Sequence, residues 1–130
     1  MFCSAPGAID VAFVVDSSAD LPKDDWTKIK EFSNEIVKRL PKISPKPDGT
    51  RVGMITYANE PKVQFDFRTL AGSQLNPQNV QSLIDKVPQR PGTKRRIDKA
   101  LELVEKDLFS PKGGARKGAK QVIEKWFKYS

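Results

Sequence analysis

Histidine is absent from this sequence, and cysteine occurs once, at Cys3. Without imidazole the chain lacks the commonest general base, any histidine-built zinc site and any Ser-His or Cys-His dyad. A single cysteine excludes an internal disulfide and a thiolate metal cluster. No apolar run approaches the ~20 residues a membrane-spanning helix needs. The first ten residues show no basic start followed by an apolar core, so no secretory signal is expected in this chain. What remains is a 130-residue chain, 38% hydrophobic and 30% charged, which suits one domain with one modest core. Its net charge of +7 is uneven: residues 1–87 balance, and residues 88–130 carry the whole excess. A basic half of this kind is either a solvated face or a surface for polyanions.

The run from Ile9 to Asp16 is almost continuously β-branched or aromatic and ends in a carboxylate. Continuous hydrophobicity predicts a strand buried on both faces, as in a parallel sheet. The acidic pair Asp24-Asp25 then suits a helix's first turn, and Trp26, Ile29, Phe32, Ile36, Val37 and Leu40 recur at helical spacing. Pro41, Pro45 and Pro47 stop that helix. Arg51–Ala58 reads as a second strand and Lys62–Phe67 as a third, more exposed one. Asn76-Pro77 opens a second helix, with Asn76 as N-cap, and a third runs from about Arg96 to Leu108. Val122, Ile123, Trp126 and Phe127 share a face if the C-terminal stretch is a short helix, whereas Trp126, Phe127 and Tyr129 among lysines would suit base stacking. The order of elements predicts an α/β fold: a doubly wound, mostly parallel sheet with flanking helices. Ligands of such sheets sit beyond the carboxyl ends of the strands, which directs attention to the loop after Asp16.

Asp16, Ser18 and Asp20 stand at alternate positions in that loop. Their oxygens can converge on a hard cation such as Mg²⁺ or Ca²⁺, or Ser18 and Asp20 can simply cap the following helix. The strand IDVAFVVDSSAD, the helix ending in RL, the strand RVGMITYANEPKVQFDF and the run RRIDKALELVEKDLFSPKGGAR resemble a von Willebrand factor type A domain. The likeness is to matrix-type members such as those of type VI collagen, and it spans residues 3–123. It implies a metal-ion-dependent adhesion site in which Mg²⁺ completes its coordination with a partner's carboxylate, an extracellular setting, and a matrix partner such as collagen.

The chain departs from the family pattern at three places. Asp16 and Ser18 match the first loop, but Asp20 replaces a serine, which lowers the ion's effective charge and favours Ca²⁺. The second loop should offer a threonine; alignment on Lys99-Ala100-Leu101 puts Arg95 there, with Thr93 two residues away. An inward Arg95 would repel a cation. After Lys120-Gln121-Val122-Ile123 no Thr-Asp-Gly follows, so the resemblance implies a domain incomplete at its C-terminal side, with residues 124–130 as a non-family tail. A fourth strand interrupted by Glu124 and Lys125 is expected to be short or absent, leaving the first strand as an apolar sheet edge prone to self-association. Cys3, whose family partner is missing, is expected to be a free thiol.

The reading that results is an extracellular matrix or adhesion-type binding module with a degraded metal site, not an enzyme; the alternatives are a metal-independent structural or interaction fragment and a polyanion binder through residues 88–130. Its candidate metal contacts are Asp16, Ser18, Asp20 and Thr93, for weak Mg²⁺ or Ca²⁺. Its candidate polyanion contacts are Lys94, Arg95, Arg96, Lys112, Arg116, Lys117 and Lys120, for sulfated glycans more than nucleic acid.

Overall fold

The computed structural model of the chain describes residues 7–126; Cys3, Phe127 and Tyr129 lie outside that range. In chain order the elements are β1 (Ile9–Asp16), α1 (Lys23–Arg39), β2 (Thr50–Tyr57), β3 (Pro61–Phe65), α2 (Pro77–Asp85), α3 (Ile97–Leu103, continued by a π turn over Val104–Leu108) and β4 (Lys120–Trp126). The four strands form one sheet in the order β3-β2-β1-β4, with β3 antiparallel and the rest parallel. This is the doubly wound α/β architecture anticipated above.

The period-two alternation of β1 sorts its side chains between two cores. Val11, Phe13 and Val15 face a cluster containing Trp26, Ile29 and Val37 of α1 and Val80 and Ile84 of α2. Ala12 and Val14 face a second cluster built on Ala100, Val104 and Leu108 of the α3 segment. Gly53 lets that segment approach closely, since a Cβ there would lie 2.8 Å from Leu108 Cδ1. Asn76 caps α2 as expected, its Oδ1 accepting the Asn79 N–H at 2.8 Å behind Pro77.

Two expectations fail. On α1 the inward position goes to Ser33, whose hydroxyl donates to the Ile29 carbonyl, while Phe32 is 52% exposed. The helix turns a narrower face inward than its apolar residues could cover. More consequentially, the fourth strand is neither short nor a helix: β4 pairs with β1 over the full run from Ile9↔Lys120 to Val15↔Trp126. Strand β1 is therefore central, and β4 is the edge. The expected penalty for Glu124 and Lys125 does not arise, because an edge strand leaves Lys125 exposed and Glu124 half-buried. Val122 and Trp126 turn toward the first core, and Ile123, on the other face, stays 40% exposed.

Candidate functional site

The same alternation that places Ala12 and Val14 under α3 places Asp10 and Asp16 at either end of that face, each fully buried. A buried carboxylate is tolerated only where donors and a counter-charge meet it. Each one meets an arginine. At the start of β1, Arg116 gives Asp10 three hydrogen bonds, from its backbone N–H at 2.8 Å, from Nε at 3.0 Å and from one terminal nitrogen at 2.8 Å. The same guanidinium also donates to the carbonyls of Ile9, Pro47 and Gly49. At the end of β1, Arg95 Nε donates to Asp16 Oδ2 at 2.8 Å, and a terminal nitrogen of Arg95 donates to Asp20 Oδ1 at 2.8 Å.

The loop after β1 is folded around Asp16. Its other oxygen, Oδ1, accepts the Ser18 N–H at 2.9 Å, a local turn that aspartate favours. Ser17 is tied to the Tyr57 carbonyl at the end of β2. The segment that carries Arg95 is clamped against this loop and the β2–β3 turn. Arg90 N–H donates to the Ser17 carbonyl, Ala19 N–H to Gly92, and Arg96 N–H to Ala58, while Asn59 Oδ1 accepts the Lys94 N–H. Gly92 has φ +101°, and a Cβ there would collide with the Asn59 side chain, so the crossing requires glycine. Gln89 adds donations to the Ser18 and Leu21 carbonyls. Asn59 and Gln89 were not foreseen from the sequence; the Pro-Gly pair at 91–92, a turn signal, could have marked the crossing.

The charges at this end reinforce one another. The Ser18 hydroxyl first, and then Arg95, hold the Asp20 carboxyl below the usual carboxylate range. The Ser18 approach falls short of a well-formed hydrogen bond, so Ser18 Oγ remains a buried polar atom without a partner. Burial opposes the charge on Arg95, yet Asp16 and Asp20 outweigh it and move the guanidinium's pKa up. Burial, helped by the Asp16 charge, pushes the Tyr57 phenol upward.

This arrangement, a carboxylate at the end of a central parallel strand with Asp-x-Ser following it, agrees with the match of residues 10–123 to the von Willebrand factor type A domain model. The chain belongs to the von Willebrand factor type A domain family. Vitrin of Mus musculus is 32% identical over 114 residues, covering 88% of this chain and 16% of vitrin. The collagen alpha-6(VI) chain of Mus musculus is 30% identical over 115 residues, covering 88% of this chain and 5% of the collagen. Among solved structures, proximal thread matrix protein 1 of the mussel byssus, described with a zinc-occupied MIDAS motif, superposes with a TM-score of 0.77 at 25% identity, covering 92% of this chain and 28% of that one. The chain thus spans less than a third of each of these proteins, and its relatives include matrix proteins.

The byssal protein is described with zinc in its MIDAS motif. In this type A domain the donors present do not fit such an ion. Ser18 Oγ, buried and without a well-formed hydrogen bond, is an oxygen of the right kind. Both oxygens of Asp16 are already used, however, and a guanidinium lies on Asp16 and Asp20 together. Thr93 is exposed, and no group of three histidine, cysteine or acidic residues gathers anywhere among the described residues.

The basic residues do not form one patch. Lys94, Arg95 and Arg96 lie beside the Asp16 end of β1, with Arg95 committed to Asp16 and Asp20 and Arg96 forked onto Asp98, whose carboxyl it holds down at about 2. Arg116 and Lys120 lie at the other end of β1, ~20 Å away along the strand. Arg116 is committed to Asp10, and Lys112 sits 3.7 Å from Asp107. Lys117 and Lys120 are exposed.

Proposed function

We propose that this type A domain is a protein-binding module of extracellular matrix type, not an enzyme, with the Asp16 end of the sheet as its contact surface and a matrix protein such as collagen as its partner. The observation that carries this reading is the clamped loop pair at the carboxyl end of β1 and β2, the position where open α/β sheets take ligands. Matrix proteins among its relatives support the setting, collagen alpha-6(VI) and the byssal thread protein by name. The Mg²⁺ or Ca²⁺ site implied by the family survives here only as Asp16, Ser18 and Asp20, with Arg95 in competition. Self-association through an exposed β1 has no basis, since β4 covers that strand and presents Lys120, Glu124 and Lys125 at the edge.

Surface plasmon resonance over immobilised collagens tests the reading. Reversing charge beside the loop with Asp20→Lys and Lys94→Glu is expected to weaken binding at least tenfold, whereas Lys117→Glu with Lys120→Glu at the far end leaves it unchanged. Equal loss from both pairs would contradict a contact surface at the Asp16 end.

A second reading, binding of sulfated glycans, rests on the +7 charge and on the exposed Lys112, Lys117 and Lys120. Heparin retention that falls steeply with salt and disappears when these three are reversed would favour it.

A further inference from the structure

The position that resemblance assigns to a metal-binding threonine is held by Arg95, and its guanidinium bridges the two carboxylates of the Asp16 loop at 2.8 Å each. Asp16 has no exposed surface, and Arg95 keeps only 25% of its side chain exposed. Charge-assisted hydrogen bonds of this length are the strong ones, and a planar fork aligned on carboxylates is what arginine offers and lysine does not. The backbone around it is fixed on both sides, by Asn59 at Lys94 and by the Ala58 carbonyl at Arg96. Arg95 is thus a tethered cation whose position is set by the fold.

We propose that Arg95 is the resident cation of this site. It takes the place of a divalent ion, so that the wild-type domain is assembled at this end without metal. Removing the guanidinium converts Asp16, Ser18 and Asp20 into a weak oxygen-donor site for a divalent cation. Three observations meet in this inference. Both Asp16 oxygens are satisfied by protein donors, so the carboxylate needs no ion. A divalent ion at the loop would stand against a fixed positive charge. The buried Ser18 Oγ makes no well-formed hydrogen bond, and it is a donor an ion would use once the guanidinium is gone. The inference deepens the adhesion reading for the same loop, and its test uses no matrix partner, so the two can fail separately.

The experiment is calorimetric titration of the 130-residue protein with Mn²⁺ and Mg²⁺, run on wild type, Arg95→Thr, Arg95→Lys and Arg95→Thr with Asp16→Asn. Wild type and Arg95→Lys are expected to give no saturable heat up to about 5 mM ion, because each keeps a cation at the loop. Arg95→Thr is expected to bind at least tenfold more tightly, and Asp16→Asn in that background to abolish the gain. Folding of each variant is checked by circular dichroism. If Arg95→Thr does not fold, Arg95→Gln, which keeps a hydrogen-bonding side chain without charge, takes its place. Saturable sub-millimolar binding to wild type, or a folded uncharged variant that binds no better than wild type, would overturn the proposal.

Discussion

Arg95 and Asp16 stand 79 residues apart in sequence and 2.8 Å apart in space, joining the start of the α3 segment to the end of the central strand. The pair crosses between two connections that backbone hydrogen bonds also clamp together. Removing Arg95 leaves a buried carboxylate uncompensated, at a cost of about 2–4 kcal/mol; a wholly buried pair would sit at the top of that range or above, and Arg95 is a quarter exposed. Urea unfolding of Arg95→Ala in EDTA should show a loss of that size, with a much smaller loss for the double variant with Asp16→Asn. Additive losses would show that the two residues do not act as a pair.

At the opposite end of β1, Arg116 is a structural residue. Its guanidinium satisfies Asp10 and three carbonyls with little exposure, so Arg116→Ala should cost about 3–5 kcal/mol, and Lys117→Ala next to it less than about 0.5 kcal/mol. Urea midpoints compare the two. A small loss at Arg116 would return it to the pool of surface charges.

Strand β1 is hydrogen-bonded on both sides, to β2 and to β4. Amides of Val11, Phe13 and Val15 are therefore expected among the slowest to exchange, opening only with global unfolding. Fast exchange there, with β2 still protected, would mean that β4 does not stay docked.

The depressed carboxyls add an acid-side pH dependence. Asp20 lies below its ordinary value and Asp98 at about 2, so each stabilises the fold above the unfolded-state pKa of about 3.9 and loses that contribution as pH falls through its folded value. Stability should be flat from pH 7 to 5 with respect to these groups and fall between about pH 4 and 2. Asp20→Asn and Asp98→Asn should each make that fall shallower in urea midpoints taken across the range. An unchanged profile in both variants would contradict the assignment.

How much of this was legible beforehand follows from what each feature depends on. The doubly buried β1, the Asn76 cap and the focus on Asp16 are local patterns, and they read directly from residue types. The inward turn of Ser33 instead of Phe32 depends on how wide a face the sheet accepts, which helical spacing does not state. Strand β4 was misread because Glu124 and Lys125 were weighed as residues of a central strand, and strand order decides whether their charges reach water. Alignment on Lys99-Ala100-Leu101 drew attention to Arg95, but its inward direction comes from the clamp made by Asn59, Gly92 and Ala58. Nothing near Asp10 pointed to Arg116, 106 residues away.

The central claim, that a guanidinium and not a metal holds the Asp16 loop, is tested most directly by melting the wild-type domain in EDTA and again in about 5 mM Mg²⁺ or Ca²⁺. The expected result is the same melting temperature in all three conditions, to within about 1 °C. An ion bound with a dissociation constant of a millimolar or tighter would add about 1 kcal/mol or more, so a rise of about 4 °C or greater in either metal would contradict it.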